Sequence, residues 1–289
     1  MILRDYHMHT NRCDAANTAE EMILAAIEKG LVEVGISEHS YTAFDPTYCL
    51  SLEATKEYVA EMKALKEKYA DRISVKIGLE FDRYSTSPLL GIEYTIGSVH
   101  YVKLPLDGSD PASVSDTDPS RPGTRDTSLP DAVFSYGGEL YFSIDESGSS
   151  QQVVVDRYYG GDFIAFAEDY FDTVAEVVEA TGCDIIGHFD LVAKFNEKEN
   201  LFDEEDPRYI AAWKKAVDRL IPYGVPFEIN TGAISKGYRS KPYPSDAIRD
   251  HIREKGGRFI LSSDSHRTDT LCYRFEEYKE KQVQEGSVW

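Results

Sequence analysis

The chain has 289 residues, of which 42% are hydrophobic and 28% are charged, a composition typical of a globular protein with a substantial core. Its formal net charge is −20 at pH 7, which repels phosphate backbones and argues against nucleic acid as a partner. No apolar run approaches the roughly 20 residues of a membrane span, so no membrane partner is expected.

The cysteines and the N-terminus predict a cytoplasmic protein. Cys13, Cys49, Cys183 and Cys272 are scattered and form no Cys-x-x-Cys pair, which favours a reducing compartment over a disulfide scaffold. The first residues lead directly into an apolar strand and a histidine motif, so no signal peptide is predicted.

Short apolar runs alternate with amphipathic stretches along the chain, as is typical of βα units and a parallel sheet. The seven predicted strands are 2–6, 32–36, 73–79, 94–96, 184–186, 225–229 and 259–261. The predicted helices are 18–30, which opens on a capping box at Thr18, then 51–69, 162–181, 207–221, 245–255 and a polar helical tail to residue 289. No linker divides the chain, so a single domain over 1–289 is expected.

One segment interrupts this alternation of predicted strands and helices. Residues 104–129 are rich in Asp, Ser, Pro and Gly, and 140–144 then read as a short strand or hairpin arm. Because the segment follows the strand that ends at His100, it would lie over the mouth of a barrel. We predict a lid insertion at about 104–130, with a tolerated surface loop as the alternative.

Histidines and acids follow six of the seven predicted strands. They are His7 and His9, Glu38 and His39, Glu80, His100, His188, and Asp264 with His266. A lone His-x-His would be weak evidence, but the carboxyl ends of parallel strands meet at one rim, where barrel enzymes hold their catalytic groups. His251 differs, because it lies within a predicted helix and is expected to be solvated. The distribution therefore predicts a metal-dependent hydrolase.

The types of candidate ligand restrict which metals and which reactions are expected. Imidazoles and carboxylates without a thiolate cluster favour Zn, Fe or Mn over Ca or Mg. The candidates are too many for one tetrahedral ion, so we predict two or three divalent metal ions, with Glu80 as a bridging carboxylate. Sites of this kind activate water and stabilise in-line displacement. Phosphate-ester hydrolysis is the leading hypothesis, and amide or lactone hydrolysis comes next.

The order His-x-His, Glu-His, Glu, Ser-x-His, Gly-His, Asp-x-His, which runs from His7 to His266, resembles that of the PHP (polymerase and histidinol phosphatase) superfamily. The segments 187–192, 228–232, Lys236-Gly237 and 242–245 are similar to its histidinol-phosphatase branch. This resemblance implies an α/β protein with the PHP fold, a distorted, seven-stranded TIM-like (β/α)7 barrel.

The resemblance also implies a set of ligands for three ions. These are His7, His9, Glu80 and Asp264 for one ion, Glu80, His100 and His188 for a second, and His39, His266 and Asp14 for a third. Asp14 stands near the place where the family has an Asp or His after the His-x-His. If Asp14 is merely a loop residue, the third site is short of ligands.

Other residues are candidates for binding and catalysis. Arg157 and Lys194 fall where the histidinol-phosphatase branch has basic residues that contact phosphate, although Lys194 could equally be a helix-surface lysine. Asp264 and His266 are the candidate catalytic residues, and either Asp264 or a metal-bound water would protonate the leaving alkoxide. Glu38 and Glu228 are expected either to support the ligands or to bind the amine of the substrate.

The predicted function is that of a metal-dependent phosphomonoesterase, in which a metal-bound hydroxide attacks the phosphorus of a small phosphorylated substrate. L-histidinol phosphate is the leading substrate, a reaction of histidine biosynthesis, and another small phosphate monoester is the alternative. A nuclease module would need a basic groove, which the charge of −20 argues against. A metal-binding protein without hydrolytic activity is the remaining alternative. No oligomeric state is predicted.

Overall fold

The computed structural model describes residues 4–106 and 130–279. The strands found there are β1 (Arg4–Asp5), β2 (Glu33–His39), β3 (Ser74–Asp82), β4 (Tyr94–Ser98), β5 (Tyr101–Lys103), β6 (Val133–Tyr136), β7 (Glu139–Ser143), β8 (Ile185–Ile186), β9 (Phe227–Asn230) and β10 (Phe259–Ser262). The helices are α1 (Ala19–Glu28), α2 (Leu52–Lys68), α3 (Gly148–Tyr158), α4 (Phe163–Val174), α5 (Val177–Thr181), α6 (Asn196–Glu199), α7 (Pro207–Leu220), α8 (Gly232–Ser235), α9 (Asp246–Glu254) and α10 (Phe275–Tyr278).

Seven strands form one parallel sheet in the order β1-β2-β3-β4-β8-β9-β10. The two ends of this sheet approach each other just beyond β1 and β10. Met8 forms a parallel bridge with Ser265, and the His9 N–H donates to the Ser265 carbonyl at 2.9 Å. The sheet is therefore a nearly closed barrel, which confirms the predicted fold class.

Helices cover the outside of the barrel and bury two apolar clusters. One cluster lies between α1, α2 and the first three strands, and includes Met22, Ile23, Tyr58 and Met62. In the other cluster, α4, α7 and α9 pack on the outside of a different part of the barrel. This cluster also buries Phe142 of the second sheet. The predicted capping box is present, since the Thr18 hydroxyl accepts from the Glu21 N–H at 3.2 Å and the Glu21 carboxylate from the Thr18 N–H at 2.8 Å. None of the helices in the described ranges is both long and apolar enough to cross a membrane.

The prediction of one helix over 162–181 is wrong, because α4 and α5 are separate. The Thr173 hydroxyl donates to the Asp169 carbonyl at 2.9 Å, a contact that competes with the helical ladder and bends helices. The Glu176 N–H then donates to the Thr173 carbonyl, three residues back. This tighter turn separates α4 from α5.

A second, antiparallel sheet in the order β5-β7-β6 follows the fourth barrel strand. The sequence indicated only the strand that became β7, and it gave no sign of α3. Most of the predicted lid at about 104–130 lies outside the described residues, as does the tail beyond residue 279. β5 begins one residue after His100, so this sheet leaves the barrel at the rim that carries the histidines.

The barrel interior is filled below that rim by the ring of Tyr94. Its hydroxyl donates to the Tyr6 carbonyl at 2.5 Å, and its side chain is 1% exposed. A Cβ added at either Gly35 or Gly78 would lie 2.2 Å from a ring or hydroxyl atom of Tyr94. Because side chains alternate along a strand, Glu80 lies on the same face as Gly78, one step nearer the rim. The two glycines therefore leave space for the Tyr94 ring, which fills the barrel interior beneath Glu80.

We expect Gly78→Ala to destabilise the protein by about 1–3 kcal/mol, the usual range for overpacking a core, because Tyr94 is enclosed and cannot retreat. Urea denaturation of the wild type, Gly78→Ala, Tyr94→Leu and the double variant measures this. The cost of Gly78→Ala should shrink in the Tyr94→Leu background, where the ring is absent. An equal cost in both backgrounds would contradict the packing described for Gly78.

Candidate metal centre

The carboxylate of Glu80, at the rim end of β3, lies among five imidazoles. Its Oε2 is 3.0 Å from His39 Nδ1 and 3.3 Å from both His7 Nε2 and His9 Nε2, and its Oε1 is 2.7 Å from His188 Nε2 and 3.2 Å from His100 Nε2. The Ser98 hydroxyl also donates to Oε1 at 2.7 Å. Glu80 is only 2% exposed, so these rings replace the water that an ionised carboxylate would otherwise need.

Asp264 reaches the same cluster from the segment after β10. Its Oδ1 lies 3.7 Å from His9 Nε2, 3.9 Å from His7 Nε2 and 3.5 Å from His266 Nδ1. Its backbone has a φ of +48°, a left-handed conformation that costs a non-glycine residue free energy and occurs often at functional sites. Gly232 permits the approach, since a Cβ there would lie 2.8 Å from the Asp264 Cβ.

Asp14 lies with the histidines, as the resemblance implied. Its Oδ2 is 3.1 Å from His266 Nε2 and 3.7 Å from His39 Nε2. Three groups of possible ligand atoms each lie within 4.8 Å of one another: His9, Asp14, His39 and His266; His7, His9 and Asp264; and His39, Glu80 and His100. All nine predicted ligands, including His188, are thus brought to one rim of the barrel.

Carboxylates behind the imidazoles orient them toward the centre. His7 Nδ1 lies 2.7 Å from Glu228 Oε1, and the His188 backbone N–H donates to Glu228 Oε2 at 3.0 Å. His100 Nδ1 lies 3.3 Å from Asp82 Oδ2. Metal-binding histidines have this arrangement, with one ring nitrogen held by a carboxylate and the other directed to the ion. Glu228 therefore holds two of the predicted ligands, His7 and His188, a position that fits one of the two roles predicted for it.

Glu38 is buried and is not among the cavity-lining residues. Its carboxylate accepts from the Thr10 hydroxyl and from the Thr10 N–H, and burial raises the pKa of Glu38 to about 7, against the lowering effect of these hydrogen bonds. By holding the backbone after His9, Glu38 also supports the ligands.

The protonation states of the cluster suit a divalent cation. Burial, reinforced by His39 and His266, lowers the pKa of His9 to about 3. Burial alone would raise the pKa of Glu80, but His100, His7 and His39 hold it well below its usual range. His7 Nε2 and both ring nitrogens of His9 are buried without a hydrogen-bond partner among the described residues. Burial alone would lower the pKa of His7, but Glu228, Glu80 and Asp264 raise it well above its usual value, so a cation that binds there would take the place of the His7 proton. His9, by contrast, is a neutral imidazole without partners next to ionised carboxylates, which is the form that binds metal.

The centre opens into a cavity whose lining includes four carboxylates and two lysines. The rest of the cavity wall is formed by Asp145, Leu191, Lys194, Ala233, Lys236, Tyr238 and Tyr243. Burial alone would lower the pKa of Lys236, but Asp264, Asp14 and Glu80 raise it above its usual value. Lys236 is therefore a cation that faces an anionic cluster.

The two residues predicted to contact phosphate lie in different places. Lys194 lines the cavity, where its Nζ donates to the Asp145 carbonyl at 2.8 Å and lies 4.6 Å from the centre of the Tyr238 ring. Arg157 is exposed in the last turn of α3 and is not among the cavity-lining residues. Arg157 lies about 14 Å along the axis of α3 from Gly148, the first residue of that helix, because an α-helix rises about 1.5 Å per residue. The role predicted for Arg157 stays a prediction that this position does not support.

Sequence reasoning missed several other residues of the cavity wall. Lys236 and Tyr243 occurred in the segments that resemble the histidinol-phosphatase branch, so a signal existed, but it assigned them no role. Tyr238 lies between those two segments and could have been suspected by proximity. Asp145 follows β7 in a part of the chain where no motif was recognised, and only the folded structure brings it to the cavity.

Comparisons with known proteins agree with this geometry. The PHP domain model matches residues 5–232. A probable histidinol-phosphatase from Deinococcus radiodurans is 27% identical over 94% of this chain and 90% of its own length, and the histidinol-phosphatase of Bacillus subtilis is 22% identical over 97% of this chain and 100% of its own. The crystal structure of histidinol phosphate phosphatase from Lactococcus lactis, complexed with zinc, L-histidinol and phosphate, superposes with a TM-score of 0.59 at 18% identity, over 92% of this chain and 87% of that one.

We expect Glu80→Gln to lower the metal content of purified protein by at least about one ion per chain, because it removes the charge that balances the bound cations. Elemental analysis after dialysis measures this loss, and circular dichroism checks that the fold is kept. Glu53→Gln is the matched control, since Glu53 is 74% exposed on α2. Full metal content in a folded Glu80→Gln variant would show that Glu80 does not hold metal.

Proposed function

This chain belongs to the PHP domain family, and we propose on that basis that it is a metal-dependent phosphomonoesterase that hydrolyses L-histidinol phosphate to L-histidinol and inorganic phosphate. The observation that carries this proposal is the convergence of five imidazoles on Glu80 at the rim of the barrel. The names of its relatives support the choice of substrate, as do the L-histidinol and phosphate in the related Lactococcus lactis structure.

The nine residues at the rim are the proposed ligands of two or three divalent ions. His7, His9, Glu80 and Asp264 would hold one ion, Glu80, His100 and His188 a second, and Asp14, His39 and His266 a third. The spacing of the possible ligand atoms supports the first and third sets most directly. Such ions, when bound, lower the pKa of water and polarise phosphoryl oxygens.

The cavity wall suits the rest of the substrate. Lys194 supplies a positive charge that Asp145 and the Tyr238 ring hold in place. The rings of Tyr238 and Tyr243 also line the cavity and offer flat apolar faces of the kind on which an imidazole stacks. Phosphate would therefore lie toward the metal side, and the amino-alcohol part of the substrate toward the tyrosines.

Asp264 is proposed as a ligand and not as the acid that protonates the leaving group. Burial alone would raise its pKa, but Lys236 and the histidines His7, His266 and His9 hold it well below its usual range. An ionised carboxylate has no proton to donate, whereas it is a good ligand for a hard cation. This leaves water, or His266 on the open side of the cluster, to protonate the alkoxide.

We expect L-histidinol phosphate to have the highest kcat/KM in a panel of phosphomonoesters that also contains sugar phosphates, phosphoserine and phosphoethanolamine. The recognised part of the substrate is its imidazole and ammonium, so removing either should cost about tenfold or more, equivalent to roughly 1.4 kcal/mol of transition-state binding. The assay uses protein of verified metal content. If another ester exceeds histidinol phosphate by tenfold, the chain is a PHP phosphatase with a different substrate. If none is hydrolysed, it is not a phosphatase.

A further inference from the structure

Lys236 is a cation of the cavity that the predicted catalytic set did not include. Lys236 directly follows α8. The chain then turns at Gly237, which has a φ of +76°, before it reaches Tyr238. α8 itself follows β9 by one residue, so Lys236 comes from the same rim as the predicted ligands. Its Nζ lies 3.2 Å from Asp264 Oδ1.

The ammonium of Lys236 has hydrogen-bonding capacity to spare. Within the described ranges, Asp264 is the one acceptor to which it donates. A lysine carries three donors, so two remain. The side chain is 34% exposed, whereas that of Asp264 is 13% exposed. Lys236 thus stands between the anionic cluster and the open cavity, with donors available to a ligand.

Lys194 differs in this respect. Its Nζ donates to both the carbonyl and the carboxylate of Asp145, at 2.8 and 3.3 Å, and its side chain is only 13% exposed. The rings of Phe195 and Tyr238 lie 5.3 and 4.6 Å from the same Nζ. Its charge is therefore largely compensated within the wall, and a ligand would have to displace Asp145 to use it fully.

We propose that Lys236 binds the phosphoryl oxygens of the substrate and of the product phosphate, and that it contributes more to this binding than Lys194. The ligand class is a small phosphate dianion, to which the ammonium presents a point charge. This inference rests on the proposed function only for the identity of the ester, because the binding of phosphate itself requires no turnover.

A purely structural role for Lys236 makes a different prediction. If its function is only to neutralise Asp264, replacing it should change the affinity for metal and leave the affinity for phosphate unchanged at saturating metal. If it contacts the ligand, the affinity for phosphate falls while the metal content stays the same. The two roles are thus separated by measuring both quantities on the same protein.

The experiment is titration calorimetry of inorganic phosphate into the metal-loaded full chain, with elemental analysis of each sample. The variants are Lys236→Met, Lys236→Arg and Lys194→Met, and the control is Lys241→Met, an exposed lysine of the same segment that pairs with Asp246. We expect Lys236→Met to weaken phosphate binding by about tenfold or more, the scale of one hydrogen bond to a charged group. Lys236→Arg should stay within roughly threefold of the wild type, Lys194→Met should lose less than Lys236→Met, and Lys241→Met should lose nothing.

Three results would overturn the inference. They are a Lys236→Met variant that binds phosphate as the wild type does, a loss that disappears when metal is restored, and a metal-loaded wild type that does not bind phosphate. If the wild type binds phosphate through Lys236 but does not hydrolyse histidinol phosphate, the inference stands and only the proposed substrate is wrong. The two proposals can therefore fail separately.

Discussion

The structure depends on one buried carboxylate, Glu80, and on the imidazoles that surround it. An ionised group with 2% exposure is stable only when charges or dipoles replace its hydration. Here the replacements come from around the barrel, because His39 ends one strand and His7, His100 and His188 each follow a different one. β9 contributes Glu228, which holds His7, and the segment after β10 contributes Asp264. All seven strands of the barrel therefore end at this centre, and the order of the sheet explains why residues far apart in sequence share it.

Features that cost stability are concentrated at the same rim. Asp264 has a left-handed backbone, His9 keeps both ring nitrogens without a partner among the described residues, and four carboxylates line one cavity. A bound divalent cation would offset these costs, since it accepts lone pairs from imidazole and carboxylate alike. Ligands that bind the folded state stabilise it, so the metal belongs to the stability of the rim as well as to its chemistry. Tyr94 supports this region from below, in the space left by Gly35 and Gly78.

Much of the centre could be predicted from sequence, because parallel strands place their carboxyl ends together. A histidine or acid after six of the seven predicted strands was enough to bring eight of the nine predicted ligands to one rim, and Asp14 was added by the resemblance to the PHP superfamily. What failed depends on tertiary packing. The contact from Thr173 to Asp169 that ends α4 gives no periodic signal, and Asp145 reaches the cavity only through the second sheet. The role of Arg157 stays a prediction, and its position in the last turn of α3, outside the cavity lining, could not be read from the sequence. Lys236 was visible in a motif, yet its free donors became apparent only from its contacts.

The central claim is that these side chains cage divalent cations around Glu80. The most direct test is anomalous diffraction at the zinc absorption edge from crystals of the protein grown or soaked with zinc. The account predicts at least two strong peaks at the rim, one of them within about 2.0–2.2 Å of a Glu80 oxygen. Peaks only on the outer surface, or a rim with Glu80 and its five imidazoles unchanged and no anomalous signal between them, would contradict it.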